Sequence, residues 1–518
     1  VLRGEGEVIR GLIPRPRLVE LGSGSVVWRS PLRVSVPGEW RYVVEVFAAD
    51  LLDAVGWDVE IVAGPATSDI LIRRVAQLGP EEYRASVREV TTIDSSSAAG
   101  AAYALAVLRQ LGPDVLWSHK SASLESVELP VVDLEDGPRF AWRGVHLDVA
   151  RHFWDVATVC RLIDQLAAHR LNRLHLHLND DQGWRIEVPA WPRLTEVGSS
   201  RRSSPLGHEN EGVDDNVEHR GFFSAADVEA IGAHAAKRHV MIVPEIDLPG
   251  HAQAAIAAYP ELGNLAEPLE VWTRWGISEH VLNVGSAALD FAGEVVQYVA
   301  DLFPGSPVHI GGDECPTREW ESSEAAQAIM RDHGFTDARQ LQGLFTQRMS
   351  SVLQAAGREV VAWDEVLDAE VLDGTVIVAW RDSQKGVEAA RRGFDVVMAP
   401  MQFLYFDWLN SERPDEPVAL APPPYVTPWE KVYRFSVIPQ RLEAGLHGRI
   451  RGAQAQLWSE YISTRDHLDY MAFPRLAAFS EVVWGTVTSP DEFRTRLETH
   501  SGRLEAMGVR FRPLDSRE

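Results

Sequence analysis

Residues 309–320 read HIGGDECPTREW: an apolar run, two glycines, then the adjacent carboxylates Asp313 and Glu314. Two carboxylates in one pocket repel when both are charged, so one pKa rises. A raised Glu314 donates a proton near neutral pH, while an ionised Asp313 stabilises positive charge beside it. That division of labour suits cleavage of a glycosidic bond, whose transition state is oxocarbenium-like. A retaining pair that supplies its own nucleophile stands about 5 Å apart across the sugar, and an inverting pair stands further apart. Neighbours on one strand end are poorly placed to flank a ring from both sides. The nucleophile is therefore expected to belong to the substrate, as a neighbouring acetamido group would. Glu314 then protonates the leaving oxygen, and Asp313 holds the acetamido N–H while its carbonyl attacks.

Such a pair needs a scaffold that brings distant segments to one place. From residue 140 onward, short β-rich runs alternate with amphipathic helical stretches. Strands are predicted at 143–149, 173–179, 240–246, 308–312, 359–363, 375–380, 395–400 and 452–458. Helices such as VATVCRLIDQLAAHR and SAADVEAIGAHAAKRH lie between them, the second opened by Ser224 with Asp227 three residues on. Eight strands with helical connections predict an α/β fold of the (β/α)8 TIM-barrel type. A doubly wound open sheet shares this periodicity. Nearly every predicted strand ends in a carboxylate, Arg, His, Trp or Tyr: Arg151, Asp180, Asp181, Asp247, His251, Asp313, Glu314, Trp363, Trp380, Tyr405, Asp407, Trp458 and Glu460. A barrel gathers all such ends on one rim, where active sites form. The glycines Gly311 and Gly312 are expected to let substrate approach the backbone.

The first 138 residues read as a separate small α/β domain, with strand character in VVWRS, DVEIVAG and REVTTID and a Ser-capped, Gly-stopped helix in SSSAAGAAYALAVLRQLG. They hold no catalytic constellation. VVDLEDGPRF (131–140) reads as a crossing linker, and residues 139–518 as the barrel with a C-terminal helical extension. With 518 residues, 45% hydrophobic and 24% charged, the chain has the make-up of a globular protein of more than one domain. A net charge of −25 opposes polyanions, so neither nucleic acid nor an anionic membrane is expected as a partner, and no apolar run reaches the roughly 20 residues of a membrane span. Two cysteines, Cys160 and Cys315, make no disulfide framework, and Cys160 is expected as a small buried hydrophobe on a helix face. The chain begins with Val and shows no signal peptide, which fits a processed or trimmed chain. The compartment stays open, leaning to secretion.

The four letters GGDE also occur in nucleotide cyclase domains, where Phe follows; here Cys315 follows. In HLHLNDD, His175 and His177 share one face of a strand. Such a pair serves either as metal ligands, as in a metal-dependent barrel hydrolase, or as inward packing of a barrel layer. His251, in PEIDLPGH, is expected to hydrogen-bond a rim carboxylate such as Asp180. Trp363, Trp380 and Trp458, at strand ends, can stack on a pyranose and enclose an acetamido methyl. A catalytically silent sugar-binding protein could use the same walls, but binding alone does not need a carboxylate aimed at the glycosidic oxygen.

Taken as a set and in order, RGVHLDVARHF, HLHLNDDQGWRIE, IVPEIDLPGH, HIGGDE, AWDE, YFD and LWSE resemble the glycoside hydrolase family 20 β-N-acetylhexosaminidases over roughly residues 140–485. The N-terminal segment resembles, less distinctively, the small α/β domain that precedes the barrel there. The resemblance implies exo-acting, retaining hydrolysis of terminal β-linked N-acetylglucosamine or N-acetylgalactosamine from chitooligosaccharides or glycans, through an oxazolinium intermediate, with no cofactor and no metal. It assigns Glu314 as general acid and base and Asp313 as the residue orienting the acetamido group. Tyr405 binds the acetamido carbonyl, and Trp363, Trp380 and Trp458 form an aromatic box. Arg151 and Glu460 contact outer hydroxyls, Asp407 contacts a further hydroxyl, and Asp180 with His251 supports the acid. The loop 193–222 is expected to shape leaving-group preference.

Overall fold

The structure is a computed structural model and describes residues 11–120, 122–208, 212–265, 267–369, 371–420 and 425–515. The N-terminal part is a mixed sheet of seven strands: β1 (Leu18–Trp28), β2 (Leu32–Ser35), β3 (Val59–Ile61), β4 (Ile70–Arg74), β5 (Tyr83–Val87), β6 (Thr91–Ser95) and β7 (Val127–Asp136), in the order β1-β7-β5-β6-β4-β2-β3. Helices α1 (Arg41–Val55) and α2 (Ala98–Leu111) belong to it. Ser97 caps α2 by accepting from the Gly100 N–H, as the sequence predicts. The linker reading of 131–140 needs correction. Most of it is the end of β7, which alternates buried and exposed residues between β1 and β5. Its three acids fall largely on the outward positions of a half-buried strand, which is why they read as loop.

Eight parallel strands close the barrel: β8 (Trp142–Asp148), β9 (Arg173–His177), β10 (Met241–Glu245), β11 (Val308–His309), β12 (Val360–Trp363), β13 (Val376–Ala379), β14 (Asp395–Met398) and β15 (Ile450–Leu457). Closure excludes the open sheet. All eight fall where the sequence predicts them, but β11 stops at His309. Gly311 and Gly312 take φ of +64° and +96°, which no strand sustains. The barrel helices are α3 (Val156–Ala168), α4 (Ala225–Lys237), α5 (Ser286–Leu302), α6 (Gln342–Ala355), α7 (Ser383–Arg391) and α8 (Arg475–Trp484). The Ser224–Asp227 capping box on α4 forms in full. Among the described residues between β12 and β13, a 3-10 turn, Asp364–Asp368, stands where a helix is expected. That segment is short, and its head is pinned: the Asp364 carboxylate accepts from the Trp380 N–H at 2.9 Å. Cys160 is only half-buried on α3, at the edge of the buried stripe of Val159, Leu162, Ile163 and Leu166.

The sheet is seated on the barrel through buried polar contacts as well as apolar ones. Asp136 Oδ2 accepts from Tyr83 Oη at 2.9 Å and from Arg170 Nη1 at 2.8 Å, and Oδ1 accepts from Trp484 Nε1 at 2.8 Å. Arg143 donates to Glu81 at 2.7 Å. A final helix, α9 (Pro490–Ala506), supplies Arg496 to the buried Glu481 of α8.

Candidate active site

Every barrel strand delivers a predicted residue to the same end. Arg151 follows β8, Asp180 follows β9, His251 follows β10, and Asp313 and Glu314 follow β11. Trp363 ends β12, Trp380 follows β13, Tyr405 and Asp407 follow β14, and Trp458 and Glu460 follow β15. Nine of them line one pocket of roughly 970 Å3, open solvent at its mouth included. The other two sit just behind it: Trp363 is wholly buried, and Asp407 is 4% exposed.

The two acids differ sharply. Asp313 is buried, whereas the Glu314 side chain is 37% exposed. The sequence expects the upward pKa shift on the glutamate. In the structure, burial and the nearby Asp247 carboxyl push Asp313 well above the usual carboxylate range. Asp247 itself is pushed up to about 7 by burial. Gly311 makes room for Asp247, and Gly312 donates to it. A Cβ on Gly311 would lie 1.8 Å from Asp247 Oδ1, and that oxygen accepts the Gly312 N–H at 2.9 Å. Glu314 itself adopts φ +44° and His251 φ +49°, strained backbone of the kind found at functional sites.

Behind the acids stands a chain of opposite charges. His251 Nε2 lies 3.8 Å from Glu314 and 3.9 Å from Asp313, and its Nδ1 lies 3.2 Å from Asp180 Oδ1. Arg151 Nη2 lies 2.7 Å from Asp180 Oδ2. Burial works against its charge, but Arg151 and His251 hold Asp180 well below the usual carboxylate range. Burial likewise opposes the His251 cation, and Asp180 overrides it, raising His251 well above an ordinary histidine. Arg151 also faces Glu460 at 3.9 Å and lies over the Trp458 ring at 5.2 Å.

Aromatic rings wall the pocket. Trp380 and Tyr405 stack at 6.0 Å, and Trp458 lies 6.3 Å from Tyr405 and 6.1 Å from Trp363. The alternation in Tyr405-Phe406-Asp407 explains this corner. The Phe406 N–H donates to the Gln456 carbonyl at 2.8 Å, keeping the chain extended beside β15. The Phe406 ring then packs under Arg475, leaving Tyr405 and Asp407 on the pocket side. Both Asp407 oxygens are buried without a protein partner, and burial with the nearby Glu460 pushes its pKa well up. Such a group is poised to meet a ligand hydroxyl.

His175 and His177 lie inside the barrel and turn to Glu245, at 3.0 and 2.6 Å. Three-residue groupings with ligating atoms within 4.8 Å of one another include His146, His175 and Glu245, and also Asp247, His251 and Asp313. Loop 193–222 carries a short helix, Arg193–Glu196, and the strand pair Ser200–Arg201 with His219–Arg220; residues 209–211 lie outside the described part.

Residues 140–487 match the model of the glycosyl hydrolase family 20 catalytic domain, and residues 10–136 that of the family's domain 2. The chain belongs to glycosyl hydrolase family 20. A β-hexosaminidase of Porphyromonas gingivalis is 35% identical over 511 residues, covering 96% of this chain and 64% of that protein. A β-N-acetylhexosaminidase of Cellulomonas fimi is 32% identical, covering 96% of this chain and 95% of its own. The solved structure of a family 20 exo-β-N-acetylglucosaminidase from Vibrio harveyi, in complex with N-acetylglucosamine, superposes with a TM-score of 0.86 at 30% identity, over 98% of this chain and 78% of that one.

In this family 20 chain the structure adds residues that strand-end reading left out. Gln182 accepts from Arg151 Nε at 2.9 Å, and Asp148 takes the Arg151 N–H at 3.1 Å. Glu365, on the 3-10 turn, holds the Trp380 indole N–H at 2.8 Å. Met401, Trp408, Leu420 and Tyr425 complete the wall. Glu245 carried a readable signal, a charged residue within the apolar run VMIVPEI. Trp408 and Tyr425 had none, since aromatic residues in a long connection are commonplace. No helix among the described residues is long and apolar enough to cross a membrane.

Proposed function

We propose that this glycoside hydrolase removes terminal, non-reducing β-linked N-acetylglucosamine or N-acetylgalactosamine from oligosaccharides such as chitooligosaccharides or glycans, with retention and with the substrate's acetamido oxygen as nucleophile. The observation that carries the reading is the adjacent acid pair on one strand end, facing an aromatic-walled pocket. Two neighbouring carboxylates are committed elsewhere: Asp180 to Arg151, His177 and His251, and Glu365 to Trp380.

The steps follow from the side chains. The sugar lies between Trp380, Tyr405 and Trp458, with its outer hydroxyls toward Arg151, Asp407 and Glu460. Glu314, the more exposed acid, reaches the glycosidic oxygen and gives it a proton as that bond breaks. The acetamido carbonyl oxygen attacks the anomeric carbon, steadied by Tyr405 Oη, and its N–H turns to Asp313. Positive charge grows on the oxazolinium next to Asp313. Asp313 meets that charge as an anion once its proton has passed to Asp247 across the hydrogen bond the two carboxyls share, so the stabilisation is realised as the oxazolinium forms. Glu314 then takes a proton from water, which opens the oxazolinium on the face the leaving group left.

Turnover of a 4-nitrophenyl N-acetyl-β-glucosaminide beside the matching β-glucoside tests this directly. Only the first should react, because the glucoside lacks the internal nucleophile. Comparable rates on both would overturn substrate assistance.

A further inference from the structure

Beneath the pocket, the barrel's inner face carries a polar layer that none of the steps above uses. Strand register sets His177 on β9 opposite Glu245 on β10, and Glu245 opposite His309 on β11. Glu245 is fully buried, and each oxygen has two neighbours. Oε2 lies 2.6 Å from His177 Nδ1 and 3.0 Å from His175 Nε2. Oε1 accepts from Trp363 Nε1 at 2.7 Å and lies 3.0 Å from His309 Nδ1. Its two oxygens lead to different halves of the site. His177 Nε2 lies 2.9 Å from Asp180 Oδ2, and Asp180 reaches His251 beside the acid pair. Trp363 stands under Trp458.

We propose that Glu245 is a positioning residue that locks both halves of the site from below: it holds His177 as an imidazolium that pins Asp180 and His251 behind Glu314, and it fixes the indole of Trp363 under the aromatic box.

The inference deepens the hydrolase reading and rests on it. The His177 ring lies between two carboxylates, so both of its nitrogens must carry protons to satisfy them. His175, equally buried on the same strand, has a different second neighbour. Gln454 Nε2 lies 3.0 Å from its Nδ1, and an amide N–H there needs an accepting nitrogen. His175 is then neutral, with its proton on Nε2, 3.0 Å from Glu245 Oε2. The electrostatics agree: burial opposes the cation on both rings, yet Glu245 and Asp180 lift His177 to about 10, whereas burial takes His175 down to about 4. The other titratable groups facing this layer are His146, edge-on to His175 at 4.8 Å, His309, and Asp247 above Glu245. One buried carboxylate thus sets the orientation of groups on β9 and β12, which are not neighbours in the sheet.

Neutron diffraction of the unmodified protein at about pH 8 should find a deuteron on each ring nitrogen of His177, one on His175 at Nε2, and none on Glu245. A single deuteron on His177 would overturn the proposal. Independently, Glu245→Gln keeps the shape and removes the charge. Its kcat/KM should fall at least about tenfold, and further for N,N′-diacetylchitobiose than for the nitrophenyl glycoside, because the support of the acid is disturbed. A loss within twofold on both substrates would sink the idea. A loss equal on both, accompanied by a lowered Tm, would assign Glu245 a structural role only and equally reject it. If Glu245→Gln does not fold, the neutron result on the unmodified protein still decides. A parent protein inactive on both substrates would instead mark failure of the hydrolase reading.

Discussion

Two buried aspartates, one at the seam between sheet and barrel and one at the barrel mouth, show how the same side chain serves opposite ends. Asp136 at the seam accepts on both oxygens, from the Arg17 N–H, Trp484, Tyr83 and Arg170. Asp313 at the mouth shares a side-chain hydrogen bond with a second acid, Asp247, which also accepts from the Gly312 N–H. A carboxylate surrounded by donors ties elements together. One left short of donors is costly to the fold, and it is kept where a ligand completes it. On the proposed mechanism, the seam carries stability and the mouth carries chemistry.

That contrast can be broken experimentally. Asp313→Ala should lower kcat/KM on an N-acetylglucosaminide by about a hundredfold to a thousandfold while leaving Tm unchanged or raised, measured by initial rates and calorimetry. Near-normal activity would remove Asp313 from the mechanism. Glu314→Gln should cost about a hundredfold on disaccharides and much less on nitrophenyl glycosides, since good leaving groups need little protonation; a uniform loss would deny it the acid's role. Asp136→Asn should do the reverse of the mouth variants. It leaves Arg170 buried without its carboxylate and should cost about 3 kcal/mol in denaturant unfolding, with kcat of the folded protein unchanged.

The smallest effect concerns pH. Folded Asp247 keeps its proton up to about 7, against an ordinary 3.8. Between those values the folded state binds more protons than the unfolded one, so raising the pH through this window costs stability. Asp247→Asn should flatten the slope of Tm against pH between about 4 and 7. An unaltered slope would show that Asp247 does not carry that proton. Asp180 runs the other way: its depressed pKa lends stability above the ordinary carboxylate range, and acid removes it.

Much of this was legible in the chain. The alternation of apolar runs and helical stretches placed eight strands, because burial on both faces leaves an unbroken hydrophobic signature. The motif ends placed the acids, Arg151, Tyr405 and the three tryptophans, because barrel closure must gather strand ends on one rim. Composition and spacing did not reveal which acid burial would act on. They did not show that Gly311 exists to admit Asp247 or that a 3-10 turn replaces a barrel helix. They also hid that Glu245 meets histidines from two neighbouring strands. Residue type and period determine which face a side chain takes, and that is local. Partners, exposure and proton positions depend on register between strands far apart in sequence, and only the closed barrel sets that register.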